Sequence, residues 1–132
     1  MEIVFGYPPN IKEIRKVFDI GNRKGIVFTY GNKLFNPSRG KIADHLLVHE
    51  MTHMAQQGED PAKWWDKYLE DPIFRLGQEI EAYRNQYTFG MKKITDRNQK
   101  AVFLHRIASD LSGPIYGGIV DYKEAKELII NK

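Results

Sequence analysis

The sequence predicts an α+β fold: a small N-terminal β-sheet or hairpin packed on a mainly helical body. Three observations carry that expectation. The first forty residues hold short β-rich runs punctuated by glycine and proline. Beyond residue 40 the apolar spacing is helical almost throughout. Two Asp-Pro pairs, Asp60-Pro61 and Asp71-Pro72, read as helix starts, with a capping aspartate followed by a proline in the first turn. No repeat, low-complexity tract or linker interrupts the 132 residues, so residues 1–132 are expected to form one domain.

The elements follow in order. Residues 2–5 alternate weakly and stop at Gly6, as a short strand does. Asn10 is placed to cap a helix from Ile11, with Ile11, Ile14, Val17 and Phe18 at helical spacing and Gly21-Asn22 as its stop. Gly25–Tyr30 is β-rich and breaks at Gly31-Asn32, and Lys33-Leu34-Phe35 resumes before Asn36-Pro37. Two such runs about a two-residue turn predict a β-hairpin. Segment 41–57 is the strongest helix. Ile42, Ala43, Leu46, Leu47, Val48, Met51, Met54 and Ala55 make it apolar nearly all round, which predicts a central, buried element. Asp60-Pro61 then opens a short helix through Trp64, Trp65 and Tyr68. Asp71-Pro72 opens a longer one to about Gly90, and residues 96–111 form another, closed by Gly113-Pro114. Asp121, with Glu124 three residues on, starts the last.

Composition excludes several classes of function. With no cysteine, disulfide scaffolds, thiolate metal sites and cysteine nucleophiles are ruled out. The net charge of +3 is too small to imply nucleic acid. Lys92, Lys93, Arg97 and Lys100 gather at one helix junction without interleaved aromatics, the pattern of a solvated charged surface. The N-terminus carries Glu2, and its apolar run is broken by Gly6 and Pro8, unlike a secretory leader. No run approaches the roughly 18 apolar residues that span a bilayer. The expectation is a soluble, cytoplasmic protein without membrane or nucleic-acid partners.

The chemistry is concentrated in His49-Glu50-Met51-Thr52-His53, an HExxH. Two histidines four apart rise about 6 Å along a helix and differ by roughly 40° around it, so both imidazoles can reach one ion. Glu50 points about 100° away from His49, off the ligand face, where it can reach a water beside the ion. That division suits hydrolysis: a metal polarises the water and the carboxylate takes its proton.

This segment, His49–Gln57, followed by Glu79-Ile80-Glu81-Ala82-Tyr83, resembles the gluzincin-type zinc metallopeptidases, and most of all their small single-domain forms found in phage and bacterial genomes. The resemblance spans roughly residues 42–90. It implies a zincin-like fold, bound zinc, and hydrolysis of a peptide or protein substrate. Glu50 would then be the general base, His49 and His53 two ligands, and a glutamate on a later helix the third. Tyr83 stands where that pattern usually has an acidic residue supporting a ligand histidine.

Glu79 and Glu81 both lie on that later helix, and helical phase chooses between them. With Leu76 at 0° and about 100° per residue, Ile80, Tyr83 and Tyr87 fall near 40°, 340° and 20° and define the buried stripe. Glu79 lies near 300°, at the stripe's edge beside Ala82 and Gln86. Glu81 lies near 140°, among Arg84, Asn85 and Thr88. The choice is Glu79, and the resemblance points the same way.

Other residues carry weaker signals. His45 lies about 12 Å along the helix from His53, too far to share its ion, and reads as a helix-surface residue or one supporting a ligand from behind. His105 belongs to no motif. Tyr116, in the glycine-rich stretch after the fourth helix, is a candidate donor to an oxyanion, against a plain packing role. Trp64, Trp65 and Tyr68 read as packing. Ile26–Tyr30 is the candidate free edge for pairing an extended peptide. Two rival functions remain: a binding or scaffold protein with a structural zinc, and a basic nucleic-acid-binding domain. A partner chain completing a shallow cleft is a further expectation, since so small a domain has few walls to give.

Overall fold

The computed structural model describes residues 1–21 and 25–131. Its elements are β1 (Glu2–Val4), α1 (Ile11–Val17), β2 (Phe28–Tyr30), β3 (Lys33–Phe35), α2 (Asp44–Gln57), α3 (Pro61–Glu70), α4 (Pro72–Lys93), α5 (Arg97–Leu111) and α6 (Tyr122–Ile130). The fold is α+β, a three-stranded sheet followed by a helical body. No helix among the described residues is long and apolar enough to cross a membrane.

The hairpin forms as expected. β2 and β3 pair antiparallel, with Tyr30 opposite Lys33 across the Gly31-Asn32 loop. Gly31 sits at φ 63°, the left-handed region that primed hairpin turns demand at their first loop position. β1 joins the other edge of β3, parallel to it, giving the order β1-β3-β2. That pairing spans some thirty residues of chain, and strand patterning alone does not specify it.

Four aspartates start four helices. Asp60 accepts from the Lys63 N–H, Asp71 from Ile73 and Phe74, Asp96 from Gln99, and Asp121 from Glu124. Each satisfies a donor that the first turn leaves without an intrahelical partner. Asn10 behaves differently. It holds the N-cap position of α1, but its side chain makes no capping bond, and its buried amide atoms have no hydrogen-bond partner among the described residues. α1 also ends earlier than expected, at Val17, because Phe18 turns extended to enter the core; Asn22, its expected stop, lies outside the described residues. α4 continues through Gly90 to Lys93.

The apolar core is two clusters. One joins Tyr83 of α4 to Phe103, Ile107 and Leu111 of α5 and Ala125 and Ile129 of α6. The other joins Ile14, Phe18 and Ile20 to Phe28 and to Trp64, Trp65 and Tyr68 of α3. α2 packs against α4, α3 and β2, and the expectation that it is apolar nearly all round needs correction. Its fully buried residues are His49, Glu50, Thr52, His53 and Gln57, all polar. Leu46, Leu47, Val48 and Met54 are half-buried, Ala55 is exposed, and Met51 is 55% exposed. A helix whose buried stripe is polar must satisfy those groups internally, which turns the centre of the molecule into a polar site.

Gly90 of α4 faces α5 so closely that a Cβ there would lie inside the ring edge of Phe103. A Gly90→Ala variant gains up to about 1 kcal/mol of helix propensity, but overpacking of this kind typically costs about 1–3 kcal/mol. Net destabilisation is expected, measurable as a lower urea midpoint at unchanged slope.

Candidate metal centre

α2 presents His49 and His53 one turn apart on the face it turns toward α4, and α4 returns Glu79 to meet them. The two Nε2 atoms are 3.1 Å apart. The Glu79 carboxylate reaches both, with Oε1 3.1 Å from His49 Nε2 and Oε2 3.1 Å from His53 Nε2. All three side chains are buried. Donor atoms sharing a tetrahedral ion with 2.0–2.1 Å bonds stand about 3.3 Å apart, so this triangle has the size such an ion needs. Glu79 Oε1 is buried and accepts no hydrogen bond among the described residues, an orphaned anionic oxygen at one corner of the triangle. Two imidazole nitrogens and one carboxylate oxygen form a donor set suited to zinc.

Glu79 is the glutamate that meets the two histidines, and Glu81 is turned away from them. The phase argument placed Glu79 at the edge of the buried stripe; the structure places it at the centre. The buried residues of α4 are Arg75, Glu79, Ala82, Tyr83, Gln86 and Gly90, while Leu76, Ile80 and Tyr87 are only half-buried. The buried arc is therefore turned roughly 80° from the apolar one, toward α2. Glu81 is exposed and accepts a hydrogen bond from Gln56 Nε2 at 2.8 Å. Asn85 donates to Thr52.

Glu50 lies next to the triangle. His49, Glu50 and His53 bring ligand-type atoms within 4.8 Å of one another. Glu50 Oε2 is 3.7 Å from His49 Nε2, farther than either Glu79 oxygen from its histidine, so Glu79 sits closer to the histidine pair than Glu50 does. Thr29 of β2 donates to Glu50 Oε1 at 3.1 Å, which fixes the carboxyl and leaves Oε2 without a hydrogen bond among the described residues.

Sequence reasoning missed the residues behind the ligands. His49 Nδ1 is 2.9 Å from Gln86 Oε1, and His53 Nδ1 is 2.8 Å from Gln56 Oε1. Each histidine is thus oriented by a glutamine amide, where carboxylates and backbone carbonyls commonly serve. Gln86 lies two turns after Glu79 on the same face, a spacing that could have flagged it. Tyr68 of α3 donates to Glu79 Oε2 at 2.6 Å. Arg75, buried one turn before Glu79, donates to the Tyr68 carbonyl at 2.7 Å and stacks on Phe18. These contacts cross between elements and leave no periodic trace.

The electrostatics follow from burial and the Glu79 charge. Burial opposes ionisation of Glu79, but His53 and His49 outweigh it and lower its pKa. Burial alone would lower His53 as well, yet Glu79 raises it to about 9. With no cation present His53 is therefore protonated at neutral pH, and a cation held in the triangle would have to displace that proton. Burial pushes Glu50 up from the usual carboxylate range, partly offset by the two histidines. Tyr68 stays a donor, its pKa raised by burial and by Glu79.

The triangle opens into a cleft of about 370 Å³. Ile14, Phe18, Ile26, Phe28, Ile115 and Tyr116 are among the residues that line it. Tyr116 lies in a 3-10 turn, Pro114–Tyr116, and its hydroxyl is 2.7 Å from that of Tyr83, whose ring packs on His49. The expected edge strand is shorter than Ile26–Tyr30. Only Phe28–Tyr30 is β, and Gln57 and Trp65 already hold the Thr29 carbonyl. Trp64 and Trp65 pack in the core and each indole N–H is satisfied. His105 is an exposed partner of Tyr122. Lys92, Lys93 and Arg97 are exposed at the α4–α5 junction.

Comparison of the chain with protein-family models, with curated proteins and with solved structures finds no match in any of the three.

Proposed function

We propose that this protein is a zinc metallopeptidase of zincin-like architecture, hydrolysing peptide bonds in a peptide or protein substrate. The observation that carries the reading is the triangle of His49, His53 and Glu79, its three donor contacts all 3.1 Å, with the Glu50 carboxylate beside it on the floor of a cleft. Zinc held by these three residues would polarise a water and the scissile carbonyl. Glu50 Oε2, which makes no hydrogen bond among the described residues, accepts the water's proton and passes it to the leaving amine. Its raised pKa brings it toward the range in which a carboxylate does both. Thr29 holds the carboxyl in register, and Tyr68 and the two glutamines hold the ligands. The apolar walls keep bulk water from the site and offer contact to substrate side chains.

Metal analysis of the purified chain, combined with cleavage of a broad peptide library, tests the reading. About one zinc per chain and chelator-sensitive cleavage are expected. Zinc without cleavage would favour the rival, a zincin-like binding protein in which the metal is structural. No metal uptake would overturn both.

A further inference from the structure

We propose that Asp110 is a specificity-determining residue of the cleft, selecting substrates that carry a cationic group: a lysine or arginine side chain, or a free peptide N-terminus. Asp110 lies in the last turn of α5 and lines the same cleft as the triangle. The described lining of that cleft contains no lysine or arginine, and its carboxylates are Glu50, Glu79 and Asp110. Glu79 meets both histidines, and Glu50 is held beside them by Thr29. The Asp110 carboxyl makes no hydrogen bond or ion pair among the described residues, Arg106 one turn earlier included. The residue is exposed, so a substrate group can reach it. Enough protein surrounds its carboxyl that burial raises its pKa, ahead of the lowering by Arg106 and His49.

Nothing local accounts for an aspartate at this position. Asp60, Asp71, Asp96 and Asp121 stand at helix N-termini, where they cap the first turn and the helix dipole favours an anion. Asp110 stands at the opposite end of α5, where the terminal carbonyls repel it, and the last turn has no basic residue to offset them. A local conflict without a described partner is expected where a site meets its partner from outside. The rest of the lining indicates which partner. Phe18, Ile26, Phe28, Leu46, Ile115 and Tyr116 offer apolar surface. Lysine and arginine carry their charge at the tip of a methylene stem, so one side chain can cover apolar lining and reach a carboxylate. About 370 Å³ has room for a side chain of that length. The whole chain has a net charge of +3, so the attraction belongs to this cleft and not to the overall charge.

The effect on cleavage rests on the peptidase reading above; the effect on binding does not, and the test reads both. Short alanine-glycine peptides with acetyl and amide caps carry lysine, arginine, norleucine or glutamate at one central position, and a further norleucine peptide has a free N-terminus. Fluorescence polarisation gives their affinities in the Glu50→Gln background, where turnover is stopped, and kcat/KM is measured with Glu50 in place. A cationic peptide is expected to be preferred over the capped norleucine peptide by about 10-fold in both, with glutamate disfavoured. Asp110→Asn keeps the shape and removes the charge, so the preference should fall to near one. The helix should tolerate it, because an anion leaves its C-terminal end. Should that variant fail to fold, Asp110→Ala carries the same expectation. Asp66→Asn, the same charge loss on an exposed residue of α3 outside the lining, should keep the preference. A preference among the capped peptides assigns the cation to a side chain, and one seen only with the free amine assigns it to the N-terminus. Equal affinity for all the peptides, binding of none, or a preference that survives Asp110→Asn overturns the proposal. A wild-type chain that cleaves no peptide counts against the peptidase reading, and the binding ratio then decides the subsite by itself.

Discussion

Glu50→Gln is expected to retain zinc and fold while hydrolysis falls by about 10²- to 10⁴-fold, the range a positioned general base supplies. The side chain is buried, and its Oε1 is held by Thr29. An amide of the same volume keeps that bond through its own oxygen, and it removes a charge that burial already disfavours. What it cannot do is take a proton at the second position, because an amide nitrogen has no basic lone pair. Zinc content and the urea midpoint should therefore match wild type while turnover falls. Turnover at the wild-type rate would place the base elsewhere or assign the activity to a contaminant. Loss of zinc together with activity would make Glu50 a ligand.

Glu79→Ala is expected to remove zinc, with a larger loss of affinity than the roughly 10- to 100-fold of a supporting residue, while Glu81→Ala retains it. Glu79 lies within 3.1 Å of both histidine Nε2 atoms, and Glu81 touches only Gln56 among its described hydrogen bonds. The alanine variant also strands the buried Tyr68 hydroxyl and a raised-pKa His53. Breaking a buried charge pair this way costs about 3–5 kcal/mol, so part of the loss could come from unfolding. Glu79→Gln separates the two effects. Its amide oxygen can still accept from Tyr68, so the fold survives, but the anionic ligand is gone. Zinc retained in Glu79→Gln and lost in Glu81→Ala would mean that the face of α4 turned to the metal has been misread.

The site was legible where it depends on geometry within one element. His49 and His53 converge because four residues make about one turn, and Glu50 diverges for the same reason. The face that carries Glu79 was reached from a helical stripe of the wrong centre. The stripe was drawn through Leu76, Ile80 and Tyr87, which pack against α5 and α6, while the face turned to α2 carries Arg75, Glu79 and Gln86. A long helix with neighbours on two sides has two buried faces, and a hydrophobic pattern reports only the apolar one. Composition likewise misled the reading of α2: its half-buried leucines and valine made it look apolar nearly all round, and its fully buried residues are polar.

The sequence by itself determined the element order, the Asp-Pro helix starts, the Gly31-Asn32 hairpin and the pairing of two histidines with a nearby glutamate. Each is settled by φ/ψ preference, capping or helical pitch within a few residues of chain. Tertiary structure alone decided that β1 lies parallel to β3, that Thr29 orients Glu50, and that Tyr68, Gln56 and Gln86 stand behind the ligands. All but the Gln56 contact join segments eleven to thirty-seven residues apart. Periodicity states the direction a side chain leaves its own helix or strand. What it meets there depends on how the elements pack, and burial then requires that each polar group in the seam find a partner from across it.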